Sequence, residues 1–259
     1  MLPYIKLRTT HTGMRMNAMI GILGGMGPLA TVDFLSKLVQ RTPANCDQDH
    51  VPVVVYSVPQ IPDRSASILH GGESPLPAMR AGIRTLERAG AHAIAIACNT
   101  AHFWYDDLAR ECRVPLLHIA DCACAALGND VANVGLIATT GTLAAGFYQQ
   151  RLTSRGYICL TNGKDELDAW VIPGIDLVKA GNLQGAGALL QQAVAALLGR
   201  GAQRVILACT EIPPALEYVA APQLHRCIDA TATLADACIQ WSMRNASAEP
   251  AAAHAGKVD

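Results

Sequence analysis

Cys98 and Cys209 stand at the ends of two copies of one short pattern. Ala93-Ile94-Ala95-Ile96-Ala97 leads into Cys98-Asn99-Thr100-Ala101-His102, and Arg204-Val205-Ile206-Leu207-Ala208 leads into Cys209-Thr210-Glu211. Gly90, Ala91, Ala97 and Cys98 recur 111 residues later as Gly201, Ala202, Ala208 and Cys209. Two thiols on either side of one carbon suit a particular reaction. A thiolate removes a proton from a chiral carbon, and a thiol returns one to the opposite face, so that the centre is racemised or epimerised without a cofactor. A free thiol ionises near pH 8.5, and a helix N-terminus or a nearby cation brings that toward neutrality, where acid/base catalysis is most effective. The carbon acid is weak, so fixed donors must stabilise the charge that develops. Asn99, Thr100, the Ala101 amide, Thr210 and the loop amides near Met26 and Thr139 are the candidates. The plainer alternative is two buried core cysteines.

The elements that must position these thiols follow from the apolar runs. Each run reads as a buried strand of a parallel sheet, and open α/β sheets bind ligands beyond the carboxyl ends of their strands. Met19–Leu23 is expected as the first strand, Gly24-Gly25-Met26-Gly27 as a loop, and Pro28 as the first position of a helix running to Arg41. The glycines let a ligand approach the backbone, but they form neither a dinucleotide fingerprint nor a P-loop. Val51–Ser57 follows as a strand, Gln60–Arg64 as a loop, residues 77–88 as a helix, Phe103–Cys112 as a helix, Val114–Ile119 as a strand and Asp121–Leu127 as a helix.

The opening then recurs. Gly21, Gly27, Leu29, Ala30 and Leu38 return 114 residues later as Gly135, Gly141, Leu143, Ala144 and Leu152, with Phe34 set against Tyr148. Val131–Ala138 therefore begins a second unit, with Thr139–Thr142 as its loop. Tyr157–Leu160 and Arg204–Ala208 are further strands, and Ile175–Lys179, Ala186–Leu198 and Ala230–Met243 are helices. The expected fold is α/β, with two pseudo-symmetric doubly wound parallel-sheet domains and the active site in the cleft between them. Residues 1–18 form an arm outside the fold, 19–130 the first domain, 131–229 the second, and 244–259 a disordered Ala-rich tail.

Composition narrows the class. Of 259 residues, 51% are hydrophobic and 16% charged, with a formal net charge of -1. Such a chain offers no basic patch to nucleic acid. The nine cysteines are odd in number and scattered, with several inside apolar runs, which points to free thiols in a reducing cytoplasm. Cys122-Ala123-Cys124 reads as core packing, and no Cys/His cluster has metal-site spacing. Lys6, Arg8 and Arg15 ahead of Met19–Leu23 mimic a secretion signal, but glycines break the apolar part. No stretch reaches the roughly 18 apolar residues of a membrane helix. A cytoplasmic protein with no membrane partner is expected.

The motifs together resemble the aspartate/glutamate racemase superfamily, and within it the aspartate racemase branch. The carriers are Gly24-Gly25-Met26-Gly27-Pro28 with Ala30-Thr31, Ile61-Pro62-Asp63-Arg64, Cys98-Asn99-Thr100-Ala101-His102, Ala138-Thr139 with Gly141-Thr142, and Cys209-Thr210-Glu211-Ile212. The resemblance spans residues 19–230. It implies a pyridoxal-independent two-base mechanism using Cys98 and Cys209, with no cofactor and no metal. It implies that Arg64 and Lys179 hold the carboxylates of a dicarboxylic amino acid. Glu211 stands where the glutamate-racemase branch tends to have His. A last helix, about 230–243, packed on the first domain, and a homodimer, are further implications.

Other readings remain beside these. Arg64 could be a surface loop cation, Lys179 could favour a helix C-terminus, and Thr139 could be a turn former. His102 could act as a base beside Cys98, but four residues into a starting helix it is expected to cap or pack. A maleate isomerase or arylmalonate decarboxylase, which the superfamily includes, would use one cysteine alone. A non-catalytic small-molecule binding protein would leave both thiols incidental.

Overall fold

The computed structural model describes residues 15–128 and 130–248. A two-residue strand, β1 (Arg15–Met16), precedes the first sheet unit, which comprises β2 (Ile20–Gly24), α1 (Pro28–Arg41), β3 (Val53–Ser57), α2 (Arg64–His70), α3 (Leu76–Arg88), β4 (Ala93–Ile96), α4 (Tyr105–Glu111), β5 (Leu116–Leu117) and α5 (Ile119–Ala125). The second unit runs through β6 (Asn133–Ala138), α6 (Thr140–Ala145), α7 (Phe147–Ser154) and β7 (Ile158–Thr161). It continues with α8 (Lys164–Glu166), a π-helical turn at Leu167–Val171, α9 (Ile172–Lys179), α10 (Leu183–Gly199), β8 (Arg204–Ala208), α11 (Ile212–Tyr218), β9 (Cys227–Asp229), α12 (Ala230–Arg244) and β10 (Ser247–Ala248).

The two main sheets have one topology. Strand order is β3-β2-β4-β5 in the first and β7-β6-β8-β9 in the second, and every pair in them is parallel. The α/β fold with two matching parallel sheets is thus as the internal repeat implies. The centre strands β2 and β4 are buried throughout, which is why they read as unbroken apolar runs. One continuous core lies between the sheets and draws on both, including Ile22, Phe34 and Ala95 from the first unit and Leu136, Tyr148 and Ile206 from the second. α12 closes that core from outside, packing on α1 and α5 of the first unit.

Several boundaries differ from expectation. The arm expected over 1–18 is attached to the fold where it is described: Ala18 N–H donates to Ser242 O, Ser242 Oγ donates to Ala18 O at 2.6 Å, and β1 pairs antiparallel with β10. Of the tail expected from 244, Arg244 still belongs to α12 and Ser247–Ala248 form β10 against β1; residues 1–14 and 249–259 lie outside the described residues. Arg64 opens α2 instead of ending a loop, since Asp63 Oδ1 accepts from Ala66 N–H and caps the helix. Thr139 does the same for α6, so the expected loop at 139–142 shrinks to its first residue. The chain beyond Cys98 turns as a 3-10 segment, Thr100–Trp104, before α4. The strand expected at Val114–Ile119 is only two residues long, and Ile119 already belongs to α5. α7, α11 and β9 have no counterpart in the expected elements.

A buried ion-pair cluster ties the units together away from the cleft. Lys37 Nζ on α1 lies 2.7 Å from Asp229 Oδ2 and also pairs with Asp33, while Asp229 Oδ1 caps α12. Burial alone would lower the Lys37 pKa, but its pairing with Asp229 and Asp33 leaves it above the ordinary lysine value. Removing the cation strands two carboxylates in a buried setting. Lys37→Met is expected to lower unfolding free energy by about 3 kcal/mol, read as a fall in the urea midpoint with an unchanged m-value.

Candidate active site

The carboxyl ends of β2, β4, β6 and β8 converge on one cleft of about 310 Å³. Both cysteines line it, Cys98 just beyond β4 and Cys209 just beyond β8. Of the expected contact residues, Met26, Arg64, Asn99, Thr100, Thr139, Lys179, Thr210 and Glu211 all line the same cleft. Ala101 does not: it is wholly buried, and its amide hydrogen-bonds the Cys98 sulfur. The 3-10 turn after Cys98 places Ala101 behind the residues that line the cleft. Asp63, Ser65, Pro59 and Ile175 also line the cleft, though the motifs alone did not single them out as contacts.

Glycines make the close approaches possible. Gly25 has φ +91, and a Cβ there would meet Val58 N at 2.3 Å. A Cβ on Gly141 would meet Ser65 Oγ at 2.6 Å, so α6 of the second unit crosses α2 of the first only at a residue without a side chain.

Hydroxyls join the two units at the rim of the cleft. Thr100 Oγ1 lies 3.1 Å from Thr139 Oγ1 and 2.9 Å from Thr142 Oγ1, and Thr139 Oγ1 donates to Thr142 Oγ1 at 3.0 Å. Tyr148 OH donates to Asn99 Oδ1 at 2.6 Å from across the same seam. Asn99 Nδ2 is buried without a partner, so this cleft-lining residue keeps a free donor. Neither Tyr148 nor Thr142 stood out as a site residue. The pairing of Tyr148 with Phe34 in the repeat was the available signal, because a hydroxyl added to a core ring needs a partner.

The two thiols sit in opposite electrostatic settings. Burial pushes the Cys98 pKa up, but the Arg64 guanidinium and the Ala101 amide act against that rise, with Glu211 adding to it. Burial also raises Cys209, and there the Glu211 charge and hydrogen bond add to the rise, leaving it well above the ordinary value. Cys209 Sγ donates to Glu211 Oε2 at 3.0 Å, and Thr210 Oγ1 donates to the same oxygen at 2.8 Å. The Thr210 hydroxyl therefore holds Glu211. Ionising Cys98 further disfavours ionising Cys209, so the two thiols titrate as a coupled pair.

The cations are arranged unequally. Arg64 Nη1 donates to Ile61 O and Pro62 O, both at 3.1 Å, and Nε is buried with no partner. Arg64 is thus fixed beside Cys98 and is no free surface cation. Lys179, at the end of α9, is 60% exposed in its side chain and 3.5 Å from Asp176 Oδ1, which places it at the mouth. His102 lies behind the cleft, wholly enclosed.

Comparison with known proteins accords with this geometry. The family model for Asp/Glu/Hydantoin racemase matches residues 23–238. The broad specificity amino-acid racemase RacX of Bacillus subtilis (strain 168) is 28% identical over 205 residues, 78% of this chain and 88% of that one. The Picrophilus torridus aspartate racemase structure superposes with a TM-score of 0.77 at 32% identity, covering 87% of this chain and 94% of that chain. A glutamate racemase from Francisella tularensis, solved with D-glutamate, shares the fold with a TM-score of 0.66 at 18% identity, covering 88% and 82%. The chain belongs to the Asp/Glu/Hydantoin racemase family and is an amino-acid racemase, an isomerase.

The asymmetry between the thiols has a direct readout. Under limiting iodoacetamide, with sites identified by peptide mapping, Cys98 is expected to alkylate before Cys209. Glu211→Gln removes the charge that holds the second proton, and its expected effect is faster alkylation at both sites with the larger gain at Cys209.

Proposed function

We propose that this racemase interconverts L- and D-aspartate by proton transfer between two thiols, Cys98 and Cys209, with no cofactor. The observation that carries the reading is that both cysteines line one small cleft. At about 310 Å³ it is at the low end for small-molecule sites. Cys98 next to Arg64 is the better thiolate, and Cys209 bonded to Glu211 is the better thiol. This division supports removal of the α-proton from one face and delivery from the other. For the reverse direction the roles exchange: Cys209, left as thiolate by the forward step, removes the α-proton and Cys98, left as thiol, returns one to the other face.

The charges favour an aspartate-like substrate. Arg64 in the interior and Lys179 at the mouth provide two cations for two carboxylates, and Asp63 and Glu211 provide anions for an ammonium group. Asn99 Nδ2 and the loop beside Met26 supply donors for the charge that develops on the α-carboxylate. A maleate isomerase would need only the cations and one thiol. The acidic pair and the second thiol favour the amino acid.

Incubation with L-aspartate in deuterated water is expected to give D-aspartate carrying deuterium at the α-carbon. Cys98→Ser and Cys209→Ser should each slow the reaction by about 10²- to 10⁴-fold. Full retention of exchange in either variant would remove that thiol from the chemistry, and absence of exchange with aspartate in the unaltered protein would reject the substrate.

A further inference from the structure

We infer that His102 is a positioning residue for Cys98, holding the peptide that carries the thiol by a hydrogen bond from its ring to the Cys98 carbonyl. The inference rests on Cys98 acting as one of the two bases. His102 Nδ1 lies 2.9 Å from Cys98 O, and the main-chain amide of Ile119 donates to Nε2 at 3.2 Å. An amide has only a proton to give, so Nε2 presents its lone pair. The single proton of a neutral ring then resides on Nδ1 and is donated to the Cys98 carbonyl.

The surroundings keep the ring neutral. His102 is 2% exposed, stacks on Tyr105 with centroids 6.2 Å apart, and lies 4.9 Å from His118, with Arg151 as the nearby cation. Burial, with Arg151 adding to it and main-chain hydrogen bonds opposing it, holds its pKa down to about 4. The His118 ring is also buried and neutral, with Nδ1 accepting from Ala120 N–H. A ring so enclosed, with both nitrogens engaged by the main chain, is no proton carrier for the cleft.

What it does is mechanical. Cys98 sits on a sharp bend, its N–H donating to Ile96 O at 2.8 Å, before the 3-10 turn brings the Ala101 amide to the sulfur. One bond from His102 fixes the plane of the Cys98–Asn99 peptide, and the other anchors that peptide to the start of α5. Release of the peptide would swing the sulfur away from the Ala101 amide and Arg64 and turn Asn99 out of the cleft. A displacement of about 1 Å at a reacting group can cost about 100-fold in rate.

The test uses His102→Leu, His102→Asn and His102→Gln in the full chain. The Asn amide N–H can occupy the place of Nδ1 and keep the carbonyl bond, whereas the Gln amide reaches the place of Nε2 and loses it. Expected are a kcat loss of about 100-fold in the Leu and Gln variants with KM little changed, near-native kcat in the Asn variant, and the same pH-rate midpoints in the Asn variant as in the unaltered protein. Cys98 alkylation, followed by mass spectrometry, should slow about tenfold in the Gln variant and stay near native in the Asn variant. Should the Leu variant fail to fold, the Asn and Gln variants carry the comparison. The alkylation arm stands even if no amino acid is racemised, so loss of the function reading and loss of this one are separable. Equal activity in the Asn and Gln variants, or loss of one limb of the pH profile in the Asn variant, would overturn the inference.

Discussion

Two parallel sheets can share one substrate only if their carboxyl ends are held face to face, and that constraint governs most of this structure. The hydroxyls of Thr100, Thr139 and Thr142 meet in a triangle exactly where the first unit must touch the second, at the edge of the cleft. Tyr148 reaches across to Asn99 beside it. Behind these bonds the hydrophobic core continues from one sheet to the other, and α12 returns from the second unit to cover α1 and α5. The apolar core sets the distance between the sheets, while the directional bonds set their angle. Gly141 allows that angle, since any side chain would push α6 away from α2.

Given that frame, the chemistry follows from how differently the two halves treat equivalent sulfurs. Burial alone would hold both thiols protonated. The first unit opposes burial with a guanidinium and an amide, while the second reinforces it with a carboxylate. A duplication that had stayed symmetric would have given two groups of equal basicity competing for one proton. Divergence at the residues just after each cysteine, Asn99-Thr100 against Thr210-Glu211, makes the two settings unequal, as the proposed base and acid require. Buried polar groups are costly unless paired, and the pairing of Thr210 with Glu211 holds that carboxylate on the Cys209 side.

The parts of this arrangement legible in the sequence are those that burial dictates. β2, β4, β6 and β8 are central strands, so their apolar runs stand out, and glycines and cysteines at fixed offsets disclose the repeat. β9 escaped because it is an edge strand of three half-buried residues, Cys227–Asp229, and β5 reduces to Leu116–Leu117 for the same reason. The starts of α2 and α6 resemble loops in the sequence because Asp63 and Thr139 suit a turn as well as a helix cap, and only the hydrogen bond decides. The motif that contains Ala101 gives residue order and not the direction of its amide. The seam partners Tyr148 and Thr142 belong to contacts between units, which local pattern does not encode.

The most direct measurement of the central claim is a crystal structure of the Cys209→Ser variant with L-aspartate bound, in which the transfer is slowed and the amino acid occupies the cleft. The account places the α-carbon between Cys98 Sγ and the side-chain oxygen installed at position 209, each about 3.5 Å away and on opposite faces. A substrate lying with both of these atoms on one face, or with its α-carbon outside the space they enclose, would contradict it.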